Sequence, residues 1–98
     1  MAGRSMPGEH SEATERLCAA LCCLASPQDA HALLADLCTP REIAELAQRL
    51  EVATLLHEGK SYLEVSHATG ASSTTVSRVS KCLSGEVGGY RMVLARMV

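Results

Sequence analysis

The stretch Tyr62-Leu-Glu-Val-Ser-His-Ala-Thr-Gly70-Ala-Ser-Ser-Thr-Thr-Val-Ser-Arg-Val79 decides the fold. It reads as a helix-turn-helix. Val65 and Ser66 supply an apolar and a small position on a first short helix. Gly70 supplies the turn, where φ > 0 costs little only for a residue without Cβ. Ala71 follows, and the Ser72 hydroxyl suits the cap of a second helix, accepting from amides of the next turn. Val76 and Val79, three apart, face back toward the first helix. Ser73, Thr74, Ser77 and Arg78, with Lys81 one turn further, are left on the outward side. A helix face of hydroxyls and cations without carboxylates suits a groove lined by phosphates.

A plain helical hairpin is the competing reading, since it too can carry a glycine in its turn. Against it, the spacing of Val65, Gly70, Val76 and Val79 is what two short crossed helices need to share one small core. Ser and Thr are indifferent helix formers, so propensity does not account for their density on the second helix. They are short donors and acceptors able to reach bases and phosphates. The helix-turn-helix is placed at about residues 61–83.

Working outward, 98 residues allow one domain at most. Hydrophobic residues make up 47% of the chain but aromatics only 2%, with two Tyr and no Phe or Trp. The apolar material is Leu, Ala, Val and Cys without a β-alternating run, which favours an all-α fold of interlocking helices. So small a leucine-rich chain gains core by dimerising. The net charge of −2 is unevenly spread. Residues 1–58 hold four Lys/Arg against nine Asp/Glu, whereas residues 59–98 hold five against two. The basic part contains the proposed reading unit, and the acidic part would lie away from phosphates. A solvated face would show the same runs.

The punctuation predicts six helices. Residues 1–10, with Gly, Pro and charge, are expected to form a flexible tail, and 11–98 the helical domain. The first helix is expected from Ser11 to Ala25, with an apolar stripe of Leu17, Leu21 and Leu24 joined by Cys18 and Cys22. Pro27 opens a second helix to Leu37 that would bury Ala30, Leu33, Leu34 and Leu37. Thr39-Pro40-Arg-Glu42 is a capping box for a third, running to Glu58, with Ile43, Leu46, Ala47, Leu50, Ala53, Leu55 and Leu56 inward and Gly59 ending it. Ser61 and Ser72 open the fourth and fifth, and Ser84-Gly85 closes the fifth. A sixth begins at Glu86 or Tyr90 and reaches Met97.

Other chemistries find little support. Cys18, Cys22, Cys23, Cys38 and Cys82 are odd in number and lack a paired Cys/His set, which argues against disulfides and zinc. They are expected to act as small buried hydrophobes, with no metal bound. His10, His31, His57 and His67 fall on different elements, and no Ser-His-Asp set or carboxylate pair stands at useful spacing, so the chain does not read as an enzyme. No run of eighteen apolar residues suggests a membrane span, and Leu17–Ala25 with its acidic flank is unlike a secretory signal. A cytoplasmic protein is expected.

Asp36-Leu-Cys-Thr39-Pro-Arg-Glu-Ile, Ala47-Gln-Arg49-Leu-Glu-Val-Ala, Tyr62-Leu-Glu-Val, Thr69-Gly-Ala-Ser72, Val76-Ser-Arg-Val-Ser-Lys81-Cys-Leu and Gly89-Tyr90 together give the chain a family likeness. In helix order and in these residues it resembles the Trp repressor superfamily, within it the YerC/YecD-type branch, over about Leu34 to Leu94. The resemblance implies a bacterial, intertwined homodimer that projects two helix-turn-helix units onto double-stranded DNA, about one helical turn apart. It implies a sequence-specific transcriptional regulator, most simply a repressor. Hydroxyls of Ser73, Thr74 and Ser77 would approach bases, and Lys60, Ser72, Arg78 and Lys81 would hold phosphates. The alternative is a helical protein-interaction module that has lost DNA reading.

The same resemblance places Arg49 and Arg78 where the Trp repressor holds tryptophan between two arginines, with Thr39 near the ligand. Where that repressor has a glycine after the second arginine, this chain has Val79. A branched side chain there fills space the indole would use, so tryptophan is not expected as a cofactor. Arg49 and Arg78 are then open to three roles: ion pairing with Glu45, Glu51 or Glu64, phosphate contact, or a clamp for tryptophan or another small ligand.

Overall fold

A computed structural model describes residues 11–97. The expected tail at residues 1–10 and the terminal Val98 lie outside the described residues. Six helices follow in order: α1 (Glu12–Leu21), α2 (Pro27–Leu37), α3 (Pro40–His57), α4 (Tyr62–Thr69), α5 (Ser73–Ser84) and α6 (Gly89–Arg96). Among the described residues there is no strand. The chain divides into two compact units, with the boundary between Thr39 and Pro40.

The first unit carries α1 and α2. Ser11 caps α1 by accepting from the Thr14 amide at 3.1 Å, and Glu12 and Glu15 meet the positive end of its dipole. Ser26 caps α2 by accepting from the Asp29 amide at 3.1 Å, with Pro27 in the first turn. The Asp29 carboxylate in turn accepts from the Ala25 amide at 3.1 Å. Neither helix fully buries a side chain.

The second unit is built on α3. Helices α4, α5 and α6 all pack against it, and α5 also packs against α4 and α6. The core consists of Val52, Ala53, Val65, Ala71, Val76, Val79 and Leu94. Leu50, Leu55, Leu56, Leu83 and Tyr90 pack around it partly exposed. With six of the seven core side chains no larger than valine, the helix axes approach closely and the core is small. Gly59, at φ 92°, turns the chain from α3 toward α4.

Several expectations need correction. α1 stops at Leu21 and does not reach Ala25, so Leu24 leaves the stripe. The cause is the restart at Pro27: Ser26 before it is extended, at φ −153° and ψ 162°, and the Ala25 amide is committed to Asp29. Leu37 is exposed, and Ala30, Leu33 and Leu34 are only half-buried, so α2 fully buries none of its expected inner residues. On α3 the fully buried pair is Val52 and Ala53, while Leu46 and Ala47 are exposed. The cysteines are not core: Cys18, Cys22, Cys23 and Cys82 are exposed and Cys38 is half-buried, all as free thiols.

Candidate nucleic-acid interface

The site grows from the way α4, its turn and α5 are locked together by hydroxyls. Ser61 and Glu64 form a reciprocal capping box at the start of α4. The Glu64 amide donates to Ser61 Oγ at 3.1 Å, and the Ser61 amide donates to the Glu64 carboxylate at 2.8 Å. The Ser61 amide and hydroxyl hold the Glu64 carboxyl below its ordinary value, with a smaller contribution from the charge of Lys60. Glu64 is thus tied to the backbone and does not project as a free anion.

At the other end of α4, Gly70 adopts φ 75° and ψ 4°, and its amide donates to Ser66 O at 2.9 Å. The Ser66 hydroxyl donates to Ala71 O at 2.7 Å, which explains the small polar residue at that position. The Thr69 hydroxyl donates to Val65 O at 2.7 Å and accepts from the Ala71 amide at 3.2 Å. Gln48 of α3 donates to Thr69 O at 3.2 Å and ties the turn to the second unit's longest helix. Ser72 then caps α5, accepting from the Thr75 amide at 3.1 Å. The angle of α5 is therefore fixed by its apolar stripe, Val76 and Val79, and by a turn whose polar groups are satisfied.

What α5 leaves outward is a groove of about 650 Å³. Ser73, Thr74, Ser77, Arg78 and Lys81 line it, as the sequence pattern places them, joined by Tyr62 and Cys82. No carboxylate lines it, and α5 has no acidic residue in its first turn to cancel the positive end of its dipole. Ser72 is exposed at the cap, with its hydroxyl shared between the Thr75 amide and the Thr75 hydroxyl. Lys60 is not in the groove. It lines an adjoining crevice, and Tyr62 walls both.

Arg49 is half-buried on α3 and lines neither cavity, while Arg78 is exposed in the groove, so the two arginines do not share that cavity. No ion pair joins Arg49 to Glu45, Glu51 or Glu64 among the described residues; Glu45 instead lies 3.7 Å from Arg41. Thr39 is exposed immediately before α3. Val79 is 1% exposed, its side chain committed to the core. Sequence reasoning did not assign Tyr62 or Cys82 to the groove. Cys82 lies one turn beyond Arg78, so helical spacing offered that signal, whereas Tyr62 arrives from the other helix and left none.

Among the described residues no helix is long and apolar enough to cross a membrane, and no three His, Cys, Asp or Glu side chains gather as a metal site.

Comparison with known proteins identifies the frame. The chain matches the family described as Trp repressor protein over residues 12–98. It is 52% identical over 62 residues to YerC, an uncharacterised protein of Bacillus subtilis, covering 63% of this chain and 60% of that one. The chain thus spans about 60% of that curated relative's length. Its structure is similar to a TrpR-like protein from Eubacterium eligens, at 40% identity and a TM-score of 0.82, covering 89% of this chain and 90% of the other. It is similar again to a candidate Trp repressor from Staphylococcus aureus, at 36% identity and a TM-score of 0.86, covering 95% of each. With an all-helical fold of this kind and a match across nearly its whole length, the chain belongs to the Trp repressor family, a regulatory DNA-binding family and not an enzymatic one.

Proposed function

We propose that the protein is a sequence-specific transcriptional repressor of a bacterial cytoplasm, acting as a homodimer that reads double-stranded DNA through a helix-turn-helix of α4 and α5. The observation that carries this reading is the groove on α5, where three hydroxyls and two cations stand together with no carboxylate. Ser73, Thr74 and Ser77 take the bases, directly or through water, as short side chains do. Arg78 and Lys81 take phosphates beside the groove, with Lys60 and Ser72 at its margins.

The homodimer is supported by apolar surface that the single chain leaves bare. Leu17, Leu21 and Leu37 are 42%, 47% and 55% exposed on the first unit. The second unit carries an apolar hollow of about 570 Å³ bounded by Leu50, Val87, Tyr90, Met92 and Val93. A second copy supplies cover for both. The commitment of Val79 to the core supports a regulator that does not use tryptophan as its cofactor.

The test is selection of genomic fragments by the purified protein, followed by gel shifts with and without tryptophan. A two-fold-related site is expected, with affinity falling steeply with salt and unchanged by tryptophan. Lys81→Gln is expected to weaken all duplexes alike and lower the salt slope by about 1. Thr74→Ala and Ser77→Ala are expected to change which duplexes are preferred. Dimerisation with no retained DNA at low salt would reject DNA reading and leave a protein-interaction module.

A further inference from the structure

The crevice beside the reading groove has a chemistry of its own. Its volume is about 410 Å³, where a water in the liquid takes roughly 30 Å³. His57 of α3, Lys60 of the following loop and Arg91 of α6 converge on it, with Ser80 and Ser84 of α5 between them and no carboxylate in the lining.

Arg91 is held in place. Its Nη1 donates to Leu83 O, a carbonyl at the C-terminal end of α5. Gly88 makes room for the guanidinium: a Cβ there would lie 3.0 Å from Arg91 Nη2, and φ at Gly88 is +77°. A guanidinium has five N–H donors in a rigid fork, so anchoring one leaves the others to face a ligand. The Ser80 hydroxyl makes no hydrogen bond among the described residues, whereas the Ser84 hydroxyl donates to Ser80 O at 3.2 Å. The Glu64 carboxylate is already committed to the Ser61 amide.

Two permanent cations and an imidazole around one cavity, with hydroxyl donors and no internal counter-charge, suit a small multivalent oxyanion. We infer that this crevice binds a phosphate group, gripped by Arg91, Lys60 and His57 with a hydrogen bond from Ser80. Tyr62 walls both this crevice and the groove, so a nucleic-acid backbone crossing the groove can place a phosphodiester here. A phosphate ester free in solution offers the same chemistry. Only the phosphodiester source rests on the proposed DNA-reading function.

The experiment has two arms, both on the full chain. In the first, inorganic phosphate is titrated without DNA at constant ionic strength while the His57 ring, Ser80 amide and Arg91 side-chain NMR signals are followed. Saturable shifts of all three are expected, lost in Arg91→Gln. Because Arg91 also caps α5, His57→Gln/Lys60→Gln is run beside it, with that hydrogen bond intact, and is expected to lose the shifts as well.

In the second arm, duplex affinity is measured between 50 and 200 mM salt. One phosphate contact fewer lowers the log–log slope by about 0.9, so the loss of affinity over that range shrinks about 3.5-fold per subunit. Phosphate shifts with an altered slope assign the crevice to the DNA backbone. Phosphate shifts with an unchanged slope assign it to a free phosphate ester. No shifts and an unchanged slope overturn the inference, even if the protein binds DNA. Shifts without any DNA binding would sink the DNA-reading function and leave the phosphate crevice standing.

Discussion

Val79→Ala is the substitution that best tests how this chain uses its fifth helix. Val79 is 1% exposed and packs with Val52, Val65 and Val76, so truncation removes two carbons from a closed core. Transfer accounts for about 0.8 kcal/mol per methylene, or about 1.6 kcal/mol. Whatever cavity remains adds about 24 cal/mol per Å³. Alanine recovers up to about 0.7 kcal/mol of helix propensity. The net expectation is a loss of about 1.5–2.5 kcal/mol, a sizeable share of the roughly 5–15 kcal/mol that holds an ordinary domain together.

Urea unfolding followed by helical circular dichroism, at fixed protomer concentration, reads this directly. Leu63→Ala, at a 69% exposed position on α4, serves as the control and should stay within about 0.5 kcal/mol. A loss at Val79 no larger than at Leu63 would show that Val79 borders open space and would refute the packing argument. Tryptophan offers a second check on the same wild-type curve. A ligand at 100 times its Kd stabilises by about 2.7 kcal/mol, so any rise in the midpoint with tryptophan would show that an indole finds room beside Val79.

Gly70→Ala should cost about 1–2 kcal/mol through the positive φ alone, since nothing lies within 4 Å of the added Cβ. Gly70→Asn should cost less, because asparagine tolerates that conformation, and equal losses in urea melts would count against this account. Replacing both Leu17 and Leu21 by Glu should convert dimer to monomer in sedimentation equilibrium, and a dimer that survives would place the interface elsewhere. The Glu64 carboxyl, lowered by the Ser61 amide and hydroxyl, stabilises the fold fully above its unfolded pKa. That contribution is lost as pH falls through the lowered folded value. Ser61→Ala keeps the amide and removes only the hydroxyl, so the carboxyl should titrate part of the way back toward 4.5 by NMR, and an unmoved titration would show that the hydroxyl does not contribute.

What the sequence disclosed about this fold was whatever is encoded locally. Ser61 and Ser72 announced helix starts because a cap acts over three residues, and both cap their helices, as Ser11 and Ser26 do theirs. Gly70, Val76 and Val79 were legible because turn and stripe lie within ten residues. The inner face of α3 was legible only in part: Ala53 is fully buried and Leu50 packs on the core as read, whereas Val52 was missed and Leu46 and Ala47 are exposed. Ile43, Leu46, Ala47 and Leu50 form as good a stripe as the one that includes Val52, and only the arrival of α4, α5 and α6 on its C-terminal half decides between them. The cysteines failed for a similar reason: a small apolar residue such as Cys18 on α1 looks like core in sequence, yet it is exposed. Arg91 could not be seen as a partner of Lys60 and His57, because three separate elements bring them together.

The uneven burial has a consequence for how reading and assembly are linked. α1 and α2 have ten and eleven residues and fully bury nothing, and isolated helices of that length are marginal in water. The second unit buries six residues of valine size or smaller plus Leu94, without an aromatic ring fully inside. Under the proposed homodimer, a second copy supplies cover for these bare faces. If so, the angle of α5 is set locally by the Ser66, Thr69 and Gln48 hydrogen bonds, while the persistence of the helices around it depends on protomer concentration. Variants at Leu17 and Leu21 should then lower DNA affinity without touching the groove, and the loss should shrink as protein concentration rises. Variants at Thr74 and Ser77 should lose affinity equally at every concentration, which separates a damaged reading face from a damaged interface in one titration series.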